Sequence, residues 1–218
     1  MKYSLRLMFQ ALILMFEGAT AWDRIALQPP GVVRSLFLRL LPMMNITTVL
    51  EGMGLQHWGK WQPDFHEERT ISHNQVLLYE AGQFVLNLVM ILVSAWLVQV
   101  MGRTFHGRDT YTYSRSFTVV VCSLSPMFLF RLLDPFPGMN PFIPWAIGIM
   151  LSIWVMYDGL PRLLVPDPTH AFGLFLSCSF VLVLATGLIS VVTGLNLQGN
   201  AGLSSSFLGR NINELIGR

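Results

Sequence analysis

The stretch VLLYEAGQFVLNLVMILVSAWLVQVM, which runs from Val76 to Met101, decides the fold class of this chain. It is longer than the about 20 apolar residues that a helix needs to cross the hydrocarbon core of a bilayer. Glu80 is its single charged residue, and a charge at the bilayer centre costs about 2.5–3.5 kcal/mol. Three further stretches contain no Asp, Glu, Lys or Arg: Ser116–Phe130, Met139–Tyr157 and Ala171–Leu195. These runs predict an integral membrane protein.

The composition supports the same class. Of 218 residues, 53% are hydrophobic and 12% are charged, whereas soluble domains carry about 25% charged residues. The formal net charge of +2 is typical of basic cytoplasmic loops, so we expect no nucleic-acid partner. Both cysteines, Cys122 and Cys178, lie in apolar stretches, where cysteine behaves as a small hydrophobic residue. The chain has no phosphate-binding glycine loop, no Gly-x-Ser-x-Gly elbow and no CxxC pair, so we predict no catalytic residue, no cofactor and no enzyme.

The distribution of positive charge indicates that residues 33–55 also cross the membrane. Arginines crowd the loop after the Val76 stretch and the loop before the last stretch, which favours a cytoplasmic position for both loops. The first forty residues are basic as well, and they share that side only if residues 33–55 cross. Eight basic residues then lie inside and four outside: Lys2, Arg6, Arg24, Arg34, Arg103, Arg108, Arg115 and Arg162, against Lys60, Arg69, Arg210 and Arg218.

We therefore predict an all-α fold, a bundle of five transmembrane helices with the N-terminus cytoplasmic and the C-terminus outside. The spans are predicted at about 33–55, 76–101, 115–133, 139–157 and 170–195. Small residues recur at every fourth position on the last two spans, and Gly148 with Ser152 is one such pair. Small side chains at this spacing let helix backbones approach closely, so we expect helix contacts there.

Residues 1–32 are predicted to precede the bundle as an interfacial amphipathic segment. Lys2, Arg6, Gln10 and Glu17 form one polar stripe at helical spacing. A helix lying in the membrane interface needs such a stripe, whereas the apolar core of a cleaved signal peptide does not. We therefore expect the mature chain to retain its first residues.

A second short helix is predicted over Thr20–Leu27. Pro29 and Pro30 end it, because proline lacks an amide donor, and Trp22 is predicted to anchor it at the level of the lipid headgroups. At the other end of the chain, residues 196–218 form a polar tail of Gly- and Ser-rich, linker-like composition.

Short motifs follow one another in a fixed order along residues 20–195. They are Ala21-Trp22-Asp23-Arg24-Ile25-Ala26 with Pro29-Pro30, then the polar loop from Arg103 with Ser125-Pro126, then Tyr157-Asp158-Gly159-Leu160-Pro161, Val165-Pro166 and His170-Ala171-Phe172-Gly173. Together with five spans, these motifs resemble the Yip family of Ypt/Rab-interacting membrane proteins in its short prokaryotic form. This chain departs from the pattern where His170 replaces a usual lysine and where Glu67-Glu68 extend the first outside loop.

The resemblance implies a fold and a location, the bacterial inner membrane, but no settled activity. Eukaryotic relatives bind Rab GTPases, usually through a longer polar N-terminal region than this chain has, so a Rab-binding role is not carried over. The expected partners are the lipid bilayer and other membrane proteins or a larger membrane complex.

The loop between the first two spans holds the one candidate metal cluster, His57, His66 and His73 with nearby acidic residues. Imidazole and carboxylate groups are metal ligands. The spacings of nine and seven match no compact ligand motif such as HExxH. We therefore favour a solvated polar loop and predict no metal.

Polar residues inside the spans carry the two functional hypotheses. They are Asn45 and Glu51 in the first span, Glu80, Gln83 and Asn87 in the second, and Arg131 at the end of the third. Spacings of three and four place Glu80, Gln83 and Asn87 on one helix face. In the first hypothesis these groups hold helices together in a non-enzymatic scaffold, organiser or accessory subunit. In the second they line the path of a small transporter or channel. Arg131 and Glu80 are candidates to pair or to extend toward the membrane surface.

The turn between the last two spans is a possible docking loop. Three prolines within Asp158–Thr169 stiffen it. Its candidate contact residues are Asp158, Pro161, Arg162, Pro166 and Asp167.

The charge bias makes a direct prediction about sidedness. Cysteines introduced by His66→Cys and Arg108→Cys, probed on intact cells with a membrane-impermeant thiol reagent, should react at position 66 only. Reaction at position 108 alone would show that the topology is the inverse of the one predicted. Reaction at both positions would show that the chain does not cross the membrane between them.

Overall fold

The computed structural model describes residues 17–27, 29–58, 60–61, 68–69, 73–106, 111–134, 136, 139–140 and 142–216. Five of its helices are long and apolar enough to cross a membrane, so the predicted all-α, five-span fold is confirmed. The spans, numbered 1 to 5, are Val32–His57, Val76–Thr104, Tyr113–Leu133, Phe142–Leu164 and Pro168–Val192. Most of the predicted interfacial stripe falls on residues 1–16, outside the described part of the chain.

The elements follow one another as helices with one minimal hairpin. They are α1 (Gly18–Leu27), α2 (Val32–Ser35), a π-helix (Leu36–Leu40), α3 (Leu41–Trp58), β1 (Lys60–Trp61), β2 (Glu68–Arg69), α4 (His73–His106), α5 (Tyr113–Ser123), α6 (Ser125–Phe130), a 3₁₀ turn (Arg131–Leu133), α7 (Phe142–Leu164) and α8 (Pro168–Ile216). The two strands pair antiparallel, with Lys60 opposite Arg69. We call the side of the bundle that carries them the hairpin end and the opposite side the α1 end.

Prolines set the irregularities of these helices. Pro42 lies just after the π-helix in span 1, where its ring crowds the preceding turn and widens it. In span 3 the helix is interrupted at Leu124, two residues before Pro126. No proline follows Pro168, and α8 continues to Ile216, so the segment of linker-like composition is helical up to that residue.

Span 3 forms the centre of the bundle. Every residue from Ser116 to Phe128 is buried. Spans 1, 2 and 4 pack around it, and span 5 packs against spans 2 and 4. Spans 3 and 4 approach each other closely at Gly148, where an added Cβ would lie 2.9 Å from Met127 Cα. The predicted close helix contact at Gly148 is confirmed.

Helix α1 packs on the last turns of span 4, and this corrects the prediction for Trp22. The side chain is fully buried rather than placed among headgroups. Its indole Nε1 donates a hydrogen bond to the Val155 carbonyl at 3.1 Å. A Cβ added to Gly159 would overlap the indole ring, so the missing side chain at Gly159 creates the notch that Trp22 fills.

Span 4 ends later than predicted, at Leu164 instead of residue 157. Asp158, Pro161 and Arg162 therefore lie in the helix, and the turn to span 5 is only residues 165–167. Arg162 makes two contacts in these last turns: it donates to the Asp158 carbonyl at 2.7 Å and to Asp23 Oδ1 of α1 at 3.0 Å. The helix then stops at Val165, whose φ of 44° is a conformation that a β-branched residue adopts only at a cost.

The Gly159 notch predicts an asymmetric response to two Gly→Ala substitutions. Gly159→Ala should destabilise the protein by about 1–3 kcal/mol, because the new methyl group displaces the Trp22 ring. Gly173→Ala, in span 5 where no atom lies within 4 Å of an added Cβ, should be neutral or stabilising by up to about 1 kcal/mol. Thermal unfolding in detergent, followed by circular dichroism, measures both. Equal midpoints for the two variants would show that Trp22 does not occupy the notch.

Candidate functional site

An ion pair between spans 1 and 3 is the centre of the polar cluster inside the bundle. Arg131 Nη2 donates to Glu51 Oε2 at 2.6 Å. Both side chains are almost completely buried, with 9% and 4% of their surface exposed. Arg131 Nε also lies 3.8 Å from Asp134 Oδ2, one turn further along the chain. One guanidinium therefore interacts with two carboxylates at the hairpin end.

This ion pair differs from the predicted pairing of Arg131. We expected Arg131 to pair with Glu80 or to extend to the surface, but the structure shows it buried and donating to Glu51. Glu80 lies beside Gly52, the residue of span 1 that follows Glu51, because a Cβ added to Gly52 would lie 3.4 Å from Glu80 Cγ. Asp134 was not singled out in the sequence, although its i,i+3 spacing from Arg131 was a signal for the contact.

The predicted polar face of span 2 is buried as one stripe. Glu80, Gln83 and Asn87 are 6%, 8% and 3% exposed, and the stripe continues toward the α1 end with apolar residues such as Ile91 and Val98. Asn87 Nδ2 donates to the Gln83 carbonyl of its own helix at 2.8 Å. Within the described part of the chain, Gln83 Oε1 and Asn87 Oδ1 have no hydrogen-bond partner.

Asn45 is not part of this cluster. Its side chain faces outward and donates to the Leu41 carbonyl at 2.8 Å, within its own helix. The helix backbone thus satisfies an amide that faces the lipid. Of the six intramembrane polar candidates, the structure buries five and leaves Asn45 on the surface of the bundle.

Only two of the three metal candidates can be placed. His66 lies outside the described residues, and His73 Nδ1 lies 2.8 Å from Gln56 Nε2 in an exposed hydrogen bond. In the described ranges, no three His, Cys, Asp or Glu side chains come together in a way that could hold a metal ion.

The candidate docking loop is smaller than expected and partly covered. Pro166 and Asp167 lie in the short turn, while Asp158 and Arg162 lie in the last turns of span 4. Asp23 of α1 already binds Arg162 at 3.0 Å. The chain's own N-terminal helix therefore covers the part of this surface that Arg162 provides.

The buried ion pair predicts a large loss of stability when one partner is removed. Glu51→Ala should destabilise the protein by about 3–5 kcal/mol, since it leaves the Arg131 charge in a low-dielectric interior. Asn45→Ala is the matched control on the same helix, and its exposed position predicts a change of at most about 0.5 kcal/mol. Thermal unfolding in detergent distinguishes them.

A double variant separates the charge from the packing. Glu51→Met combined with Arg131→Met removes both charges of the pair and keeps the volume, so it should recover a large part of the stability that Glu51→Ala loses. The part that is not recovered reports the loss of the Asp134 contact with Arg131. If Glu51→Ala unfolds at the same temperature as Asn45→Ala, the ion pair does not stabilise the bundle.

Comparison with known families agrees with this architecture. The family model of the Yip1 domain matches residues 12–191, which include α1 and all but the last residue of the five spans. Neither the curated proteins nor the solved structures gave a significant match. The matched region covers most of the 218 residues, and it includes every element that the family resemblance drew on. The chain is an integral membrane protein that belongs to the Yip family.

Proposed function

We propose that this protein is a non-enzymatic scaffold, organiser or accessory subunit of a membrane complex. The observation that carries the proposal is that polar side chains at both ends of the bundle bond to other helices of the same chain. Arg131 bonds to Glu51, and Trp22 bonds to Val155. Polar groups that bond to one another inside lipid hold helices together, and a conducting path would need them turned toward water or a solute.

The outer surface supports the same proposal. Spans 2 and 5 present rows of large apolar side chains away from the bundle: Val85, Val89, Val93 and Trp96 on span 2, and Phe172, Leu176, Phe180, Leu184 and Leu188 on span 5. In a bilayer such faces contact lipid or another membrane protein. Shape complementarity between apolar helices drives association in membranes, so these two faces are the surfaces on which a partner would pack.

The second candidate function, a small transporter or channel, is supported by the buried amides of span 2. The oxygens of Gln83 and Asn87 lack a hydrogen-bond partner among the described residues. In lipid each such oxygen favours a water molecule or a solute. Glu80, on the same face of span 2, adds a carboxylate that would make this path suitable for a cation.

The location in the bacterial inner membrane, with the N-terminus cytoplasmic, is part of the proposal. Its support is the excess of arginine at the α1 end. Arg24, Arg34, Arg103, Arg115 and Arg162 all lie there, and basic residues near the ends of spans favour the cytoplasmic side.

Photo-crosslinking in native membranes tests the scaffold. A photoreactive amino acid in place of Trp96, which faces outward, should give a discrete adduct with a second membrane protein or a second copy of this chain. The same amino acid in place of Trp154, which faces outward on span 4, maps whether contact extends to that face. Ile91, fully buried on span 2, is the control position and should give no intermolecular adduct.

Proteoliposomes provide the opposing measurement. Under the scaffold proposal, release of entrapped cations or small solutes should not exceed that of protein-free vesicles. If the unmodified protein does release solute and the Gln83→Leu and Asn87→Leu variants do not, the protein is a transporter and the scaffold proposal is wrong. Adducts with lipid alone at positions 96 and 154 would also count against a scaffold.

A further inference from the structure

The first turns of spans 1 and 3 lie side by side at the α1 end. The Ser114 hydroxyl donates to the Pro30 carbonyl at 3.3 Å, and Thr118 Oγ1, which donates to the Ser114 carbonyl at 2.8 Å, lies 3.3 Å from the same Pro30 oxygen. One turn further, Ser35 Oγ lies 3.5 Å from Thr118 Oγ1. The contact continues with Arg39 Nη1 and Cys122 Sγ at 3.1 Å. The two helices therefore start at the same end and run in the same direction, in contact for more than two turns.

This register places two arginines together. Arg34 precedes Ser35 in span 1, and Arg115 follows Ser114 in span 3. Each helical residue is rotated by about 100° from the one before it. In two parallel helices that face each other through Ser35 and Thr118, Arg34 and Arg115 therefore project to the same side of the helix pair.

Neither of these two arginines is neutralised by the part of the chain that the structure describes. The side chains of Arg34 and Arg115 make no hydrogen bond or ion pair there, while Arg162 binds Asp23 and Arg103 donates to the Tyr111 carbonyl. Span 3 contains no Asp or Glu, and the single acidic residue of span 1, Glu51, lies at the hairpin end and pairs with Arg131. Arg115 also lies in the first turn of α5, where the helix dipole favours an anion nearby.

The residues around Arg34 indicate that an anion bound there would belong to a lipid. Val33, Phe37 and Leu38 are large apolar residues exposed on the same stretch of span 1. Arg34 is the third residue of a membrane span. A charged side chain at this depth lies at the headgroup layer, with lipid chains against the residues beside it.

We propose that Arg34 and Arg115 together bind the phosphate of an anionic glycerophospholipid. Guanidinium groups bind phosphate oxygens through paired, charge-assisted hydrogen bonds. Two of them on one side of a helix pair match the phosphate of a single headgroup, and the apolar residues below Arg34 face its acyl chains. The site is independent of the scaffold or transport function.

Native mass spectrometry of the purified chain with defined lipids tests the proposal. The unmodified protein should retain phosphatidylglycerol in preference to phosphatidylcholine of the same chain length. Arg34→Gln and Arg115→Gln should each lower the retained fraction about fivefold, equivalent to the about 1 kcal/mol of one arginine near an anionic surface. Arg24→Gln is the matched control, since Arg24 is exposed at the same end but belongs to α1, and it should leave retention unchanged.

Size-exclusion elution and circular dichroism of each variant confirm that it is folded before lipid is measured. Equal retention of phosphatidylcholine, or an equal loss in Arg24→Gln, would overturn the proposal, because the effect would then be nonspecific. Displacement of the lipid by inorganic phosphate at millimolar concentration would overturn it in favour of a soluble phosphate ligand.

Discussion

The contact between Arg131 and Glu51 fixes the hairpin end of the bundle. Inside lipid, a guanidinium and a carboxylate cannot be hydrated, so each is satisfied by the other. Their ion pair therefore keeps the two helices that carry them together. Span 1 must come close to span 3 where these side chains meet at 2.6 Å. Span 3 lies at the centre, with spans 1, 2 and 4 packed around it and span 5 packed against spans 2 and 4.

The α1 end depends on a different kind of contact. Trp22 brings a large apolar surface and one N–H donor, and Gly159 provides the space for it. Burial of an aromatic ring stabilises through area, while the hydrogen bond to Val155 removes the cost of hiding the donor. The structure thus combines an ion pair at one end with aromatic packing at the other. Between the two ends, close packing such as that of Gly148 on Met127 holds the helices together.

The local parts of this structure were predictable from the sequence, and the long-range contacts were not. Four spans followed from apolar runs with at most one charged residue, and span 1 followed from the distribution of basic residues. The buried stripe of span 2 followed from spacings of three and four. The choice of Glu51 over Glu80 for Arg131 was not predictable, since the two carboxylates are alike locally and the tertiary arrangement decides between them. In the sequence Trp22 resembles an interfacial anchor, because its contact with Gly159 exists only in the tertiary structure. Span 4 continues past its glycine and proline to Leu164, and its last turns are in contact with α1, where Arg162 binds Asp23, 139 residues away.

The distance along the chain between Trp22 and its binding site has a consequence for biosynthesis. Trp22 leaves the ribosome 133 residues before Val155, its hydrogen-bond acceptor. At about 5–20 residues per second, that interval is on the order of ten seconds. Throughout it α1 exists without its notch, and its apolar face must rest on the membrane or on the insertion machinery. The docking of α1 is therefore one of the last steps of assembly, and a chain stopped before span 4 would display this helix to its surroundings.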